Sequence, residues 1–170
     1  MNNVIKKLVI VMTILFSMNM FSQMINLSEE VVNDMKFMLE EEKVARDVYE
    51  YMGETWNLKI FNNIKQSEQR HLDMMKNLLE TNNIAFQLTD KRGSFHNKDL
   101  QKMYDDLIEK GSKSKYEALQ VGKLIEVTDI KDLEEAIKNT NDTYIKQVYS
   151  NLLRASQNHL KAFNKQLAKY

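Results

Sequence analysis

Glu68-Gln69-Arg70-His71 sets a carboxylate and an imidazole three residues apart. On a helix such a pair shares one face, with Cβ atoms about 5–6 Å apart, so a single cation can take both side chains. A carboxylate also has a second oxygen and can bridge to a neighbouring ion, which is how paired metal sites are assembled inside helical bundles. Oxygen and imidazole donors suit iron, manganese or zinc. Alone, Glu-x-x-His is a common accident. Its weight depends on what other helices bring to the same depth.

Four stretches carry an apolar period of about 3.6 residues and supply that context. The inward face of the first reads Met35, Leu39, Glu42, Ala45, Tyr49, Met52. The second reads Ile60, Ile64, Glu68, His71, Met75, Leu78. The third reads Leu119, Gly122, Glu126, then Asp129 or Ile130, Leu133 and Ile137, and the fourth Ile145, Tyr149, Leu152, Ser156, His159, Phe163. Each stripe is apolar at both ends and interrupted in the middle by polar residues. A buried carboxylate is costly unless it is paired or coordinates a metal, so Glu42, Glu68, His71, Glu126 and His159 are the candidate ligands, with Asp129 as a further one. Tyr49 and Ser156 stand next to them as supporting residues. Each has a plainer reading. Glu42 could pair with Arg46 along its own helix, and Glu68 and His71 could share a buried hydrogen bond. Glu126 could bond to the fourth helix, and His159 could be a satisfied core histidine. Tyr49 could point its hydroxyl to the surface.

The helices that must position these groups span about 28–52, 58–81, 114–138 and 142 to the C-terminus. Ser28 is suited to cap the first, with Glu29 and Glu30 in its first turn, and Gly53 reads as its stop. Short links around 53–57 and 139–142 imply two antiparallel hairpins. Between them lie some 30 residues, 82–113, holding a short helix over 99–110. One long crossover between hairpins is the mark of ferritin-like bundles; an up-and-down bundle with a decorated loop is the alternative. The expected fold is therefore all-α. Among the remaining residues, Trp56 reads as a packing anchor at the first hairpin, the methionines as core filler, and His96 as a surface residue.

The chain has no cysteine and no proline, and four glycines in 170 residues. Disulfides, thiolate metal sites and cysteine nucleophiles are excluded together. Residues 1–22 read as a signal peptide: Lys6 and Lys7 precede an apolar run from Leu8 to Phe21, shorter than the roughly 20 residues of a membrane span. An uncleaved N-terminal anchor is the competing reading and the one route to a membrane. The domain then occupies 23–170, exported to the periplasm or outside the cell. Losing Lys6 and Lys7 leaves 22 basic and 24 acidic residues, a net charge of −2, which gives no reason to bind nucleic acid. The charges are well mixed, as on solvated helix faces. A homodimer is left open.

The stretch EEEKVARDVYEYMGETWNLKIFNNIKQSEQRHLDMMKNLLE, 40–80, resembles the bacterial and archaeal family called domain of unknown function 2202. ALQVGKLIEVTDIKDLEEAI, 118–137, and VYSNLLRASQNHLKAF, 148–163, fit the same family. The resemblance implies a ferritin-like bundle, more distantly similar to rubrerythrins and bacterioferritins. In those relatives a first-helix metal Glu is followed by Ala and Tyr, as Glu42, Ala45 and Tyr49 are here. Glu68 and His71 match their second-helix pair, and Glu126 their third-helix carboxylate. The fourth helix departs from the pattern: Ser156-Gln157-Asn158-His159 keeps the histidine and lacks the carboxylate. Asp129 is the residue that could supply the missing oxygen.

These readings imply an exported metal protein, holding one or two iron ions and acting on dioxygen, peroxide or ferrous iron as substrate. A non-catalytic protein stapled by one ion, and a metal-free helical interaction module, are the competing classes.

Overall fold

The computed structural model describes residues 27–170, and the segment read as a signal peptide lies outside them. The described chain forms five helices and no strand: α1 (Glu29–Trp56), α2 (Lys59–Thr81), α3 (Lys98–Gly111), α4 (Lys115–Asn139) and α5 (Thr143–Leu167). No helix among the described residues is long and apolar enough to cross a membrane. Side-chain caps satisfy the first free N–H groups of four helices: Ser28 for α1, Asn97 for α3, Ser114 for α4 and Asp142 for α5.

Gly53 is not the end of α1. The helix continues another turn to Trp56, and the chain reverses at Asn57, whose φ is 51°. A Cβ at Gly53 would stand 2.6 Å from Asn62 Oδ1 on α2, the tip of an exposed side chain that can turn aside. Trp56 anchors this end as expected, with its indole N–H donating to Gly111 O at 2.9 Å. The α2 stripe begins at Phe61, which is fully buried, rather than at half-buried Ile60. At the far end of α4 the inward residue is Ala136 rather than Ile137.

Two contacts fix the direction of α4. Asn139 Nδ2 donates to Asp34 Oδ2 at 3.1 Å near the start of α1. Tyr49 reaches Gly122 O at 3.3 Å near its end. The two helices are therefore antiparallel. Because α2 folds back along α1, α2 and α4 point the same way, and residues 82–114 must return the chain along the length of the bundle. α2 packs on α5, and α3 lies against α1 and α4.

That crossing explains α1. Its middle is buried nearly all round, so Glu40, Glu41, Lys43 and Asp47 are buried along with Glu42. The reading of these charges as a solvated face is corrected here. Lys43 Nζ donates to Asp47 Oδ2 (2.6 Å), Lys91 O (3.0 Å) and Ser94 O (3.2 Å), and lies over the Phe95 ring. Asp47 also accepts from Gly93 N at 2.9 Å, and Glu40 accepts from the backbone N–H groups of His96 and Asn97. Three side chains of α1 thus fasten the crossover. His96 is itself exposed.

The apolar core is divided. One cluster holds Met35, Leu39, Met75, Leu78, Leu133 and Leu152; the other holds Val48, Met52, Phe61, Leu119, Val121 and Phe163. Between them lies a polar layer.

Candidate metal centre

All four long helices contribute to that layer. α1 places Glu42, α2 places Glu68 and His71, α4 places Glu126 and Asp129, and α5 places His159 and Ser156. Every one is buried except His159, whose side chain is 12% exposed. On α4 the inward position falls to Asp129, and Ile130 is only half-buried. The residues named from the stripes are therefore brought together.

Their geometry is that of two triads sharing one residue. Glu42, Glu68 and His71 form the first and Glu68, Glu126 and His159 the second; in each, one donor atom per residue lies within 4.8 Å of the others. His71 Nδ1 stands 2.8 Å from Glu68 Oε2 and 3.3 Å from Glu42 Oε2. His159 Nδ1 stands 2.9 Å from Glu68 Oε1 and 3.5 Å from Glu126 Oε2. Glu68 therefore offers one oxygen to each side, and the two imidazoles stack with centroids 5.7 Å apart.

Several of these atoms have no hydrogen-bond partner. Glu42 Oε1, Glu68 Oε1, Asp129 Oδ1 and His159 Nδ1 are all buried and unsatisfied. Orphaned buried acceptors cost about 1–3 kcal/mol each, more when charged. Donor atoms crowded together yet not aligned with one another fit a cation between them. Both triads mix carboxylate and imidazole, the donor set of first-row divalent ions. The residues present therefore fit a metal ion, and Glu68 belongs to both groups that could hold one.

The electrostatics agree. Burial raises the Glu42 carboxyl to about 7 against the pull of His71. Burial also raises Glu126 to about 7, with Glu68 adding to the effect. Asp129 is pushed well up by burial and by Glu42, Glu41 and Glu126. Glu68 goes the other way: burial opposes its charge, but His159 and His71 outweigh it and hold the carboxyl at about 2. His71 and His159 rise to about 11 and about 9, because the surrounding carboxylates overcome burial. Without a cation, negative charge in this layer is held down by keeping protons.

Tyr49 is fully buried, and its hydroxyl donates to Glu126 Oε1 at 2.6 Å. It orients a candidate ligand, and the surface-hydroxyl reading is excluded. Its ring packs on Phe61 and Phe163, at centroid distances of 5.9 and 5.5 Å. Gly122 makes this possible, because a Cβ there would run into the Phe163 ring. Ser156 donates to Leu152 O at 3.1 Å and lies beside Asp129. Arg46 does not pair with Glu42; it turns to Asp47 and Gln69. Arg70 and Arg154 are exposed.

Sequence reasoning missed Glu41. It is 4% exposed, and Asp132 of α4 lies within hydrogen-bonding reach of it. A signal was there: Glu126, Asp129, Asp132 and Glu135 recur every third residue along α4.

Fold and site together define a helical bundle with a buried, paired carboxylate–histidine cluster. The chain belongs to the family described as Uncharacterized protein domain (DUF2202), which matches residues 32–170. It is 46% identical over 145 residues to Uncharacterized protein MJ0754 of Methanocaldococcus jannaschii, covering 85% of this chain and 78% of the relative. The crystal structure of hypothetical protein MJ0754 superposes with a TM-score of 0.83 at 46% identity, over 84% of this chain and 82% of that one.

Proposed function

We propose that this protein is an exported ferritin-like metal protein that holds two first-row metal ions, iron in the leading case, and acts on dioxygen, peroxide or ferrous iron as substrate. The observation that carries the reading is Glu68, whose two oxygens serve two triads of buried donors. The order of the long helices, with α2 and α4 parallel across one long crossover, supports the ferritin-like arrangement. Two adjacent iron ions supply paired one-electron redox chemistry.

The chain's own residues do the rest. Glu42 and His71 would hold one ion, Glu126 and His159 the other, and Glu68 both. Tyr49 fixes Glu126 through its hydroxyl. The aromatic trio of Tyr49, Phe61 and Phe163 closes one side of the layer against water. No cysteine is present to carry an electron centre, so a peroxidase cycle would draw on an external donor.

A second reading, one structural ion without catalysis, is favoured by Ser156 standing where a fourth-helix carboxylate would complete the second triad. Elemental analysis of the purified protein separates the readings. Two metal ions per chain, falling to one or none in Glu68→Ala, supports the paired centre; one ion per chain supports the staple. No metal in either protein overturns both. Ferrous oxidation and peroxide consumption by the loaded protein then test the redox reading, which ends if neither occurs.

A further inference from the structure

The acidic residues of α4 do not stop at the centre. Glu126 and Asp129 are buried, Asp132 is 24% exposed at its side chain, and Glu135 is exposed. A three-residue step on a helix rotates by about 300°, so this row winds slowly from the core to the surface. α1 runs antiparallel beside it and adds Asp34 at the surface end and Glu41 in the interior. Asp34, Asp132 and Glu135 line one surface depression of about 200 Å3 at the α1/α4 seam. Glu41 lines a separate cavity of about 90 Å3, between α1, α3 and α4.

Glu41 is the informative residue. Its Oε2 is buried and has no hydrogen-bond partner. The charged group that acts on it most strongly is another acid, Asp132. The adjacent Lys131 pairs with Asp132 Oδ1 at 3.6 Å, but its side chain is 77% exposed and stays outside. Two carboxylates facing each other, one of them sealed from water, repel unless one keeps a proton or a cation lies between them.

We propose that Glu41 and Asp132 form a staging site for a divalent cation, from which the ion passes by Asp129 to the paired centre. This rests on the metal-binding reading above. Two carboxylates and water hold a hard cation weakly enough to release it, whereas the inner triads add imidazole and a bridging oxygen. Asp132 is part-exposed whereas Glu41 and Asp129 are buried, so the ion meets a carboxylate both before and after it leaves water. Apolar side chains, Leu107 and Leu124 among them, wall the cavity beside Glu41, and acidic charge in such low-dielectric surroundings concentrates cations.

The test follows cobalt(II) uptake by the metal-free full chain, by visible absorbance in stopped flow, with the final metal-to-chain ratio measured afterwards. Glu41→Gln and Asp132→Asn preserve shape and remove charge. Each is expected to slow loading by about tenfold, the low end of electrostatic focusing, with the final ratio unchanged. Glu134→Gln, on the exposed face of α4, should load at the wild-type rate. Equal rates in all four proteins overturn the staging site and leave the centre standing. A lower final ratio in either variant also overturns it, by making that residue part of the centre or of the fold. Asp132 is only partly buried, so its variant reports even if Glu41→Gln misfolds. Failure of the wild type to take up cobalt at all would sink the centre itself, a separate result.

Discussion

His159 Nδ1 lies 2.9 Å from Glu68 Oε1, and neither atom has a hydrogen-bond partner. The pair is close enough for a strong bond and misaligned for one. The same carboxylate meets His71 through its other oxygen at 2.8 Å. Replacing Glu68 by Gln keeps the volume and exchanges one carboxylate oxygen for an amide nitrogen that cannot ligate. We expect the second ion to be lost and the first to weaken, read by titration calorimetry as one weak site in place of two. Two sites of unchanged affinity would remove Glu68 from the centre.

The pH dependence of the metal-free protein follows from the same layer. Glu42 and Glu126 are raised in the folded state, to about 7 each from 4.5. The folded protein therefore holds protons that the unfolded chain releases, and their contribution is lost as pH rises from about 4.5 through 7. His71 and His159, raised to about 11 and about 9, contribute fully below the unfolded value of 6.5 and lose that contribution as pH climbs through those values. Glu68 is lowered to about 2, so its contribution is present above 4.5 and lost only in strong acid. The metal-free Tm should accordingly fall between pH 5 and 8. Metal ligands must be deprotonated, so the rise in Tm on adding metal should grow over the same range. Melting curves with and without manganese(II) check both trends, and a Tm of the metal-free protein that rises across this range contradicts the assignment.

Tyr49→Phe removes one hydroxyl and leaves the ring on Phe61 and Phe163. It should cost about 1 kcal/mol of stability, the usual value of a buried hydrogen bond. Metal affinity of the second site should fall by about tenfold, as expected for a residue that orients a ligand. A stability loss with no change in affinity would leave Tyr49 a purely structural residue.

Gly122→Ala tests how tightly that side of the layer is packed. The new Cβ meets the Phe163 ring, which is held between Tyr49 and Phe61. Overpacking of this kind costs about 1–3 kcal/mol. Denaturant unfolding should show the loss, and Phe163→Leu in the same chain should recover part of it.

The inward stripes were readable because a buried face repeats every turn, and Glu42 on α1 or His159 on α5 interrupts an otherwise apolar row. Glu40, Lys43 and Asp47 were not, because acids and bases three or four apart look the same on a solvated helix as on a buried one. Their burial depends on a segment some 50 residues later, where Lys91, Ser94, His96 and Asn97 come to rest on α1. Gly53 misled for a different reason. A glycine before a turn suggests a helix end, yet here the helix runs on to Trp56 and Asn57 takes the left-handed position that ends it. Ser156 told the truth about a missing carboxylate and nothing about where another would stand; only the packing of α4 on α5 puts Asp129 beside it.

That neighbourhood makes the last prediction. Asp129 Oδ1 is buried, unpartnered and adjacent to Ser156. If Asp129 contributes the oxygen absent from α5, Asp129→Asn should weaken the second ion and spare the first. Ser156→Glu in the Asp129→Asn background moves the carboxylate back to α5 and should restore two ions per chain. Ser156→Glu alone adds another acid to a layer already short of positive charge, and should destabilise the metal-free protein by about 3 kcal/mol or more. Added metal should recover much of that loss, because the extra carboxylate is then a ligand rather than a buried unpaired charge. Metal-to-chain ratios and melting temperatures of the three variants decide the point: a double variant no better than Asp129→Asn would mean that the two positions do not serve the same ion.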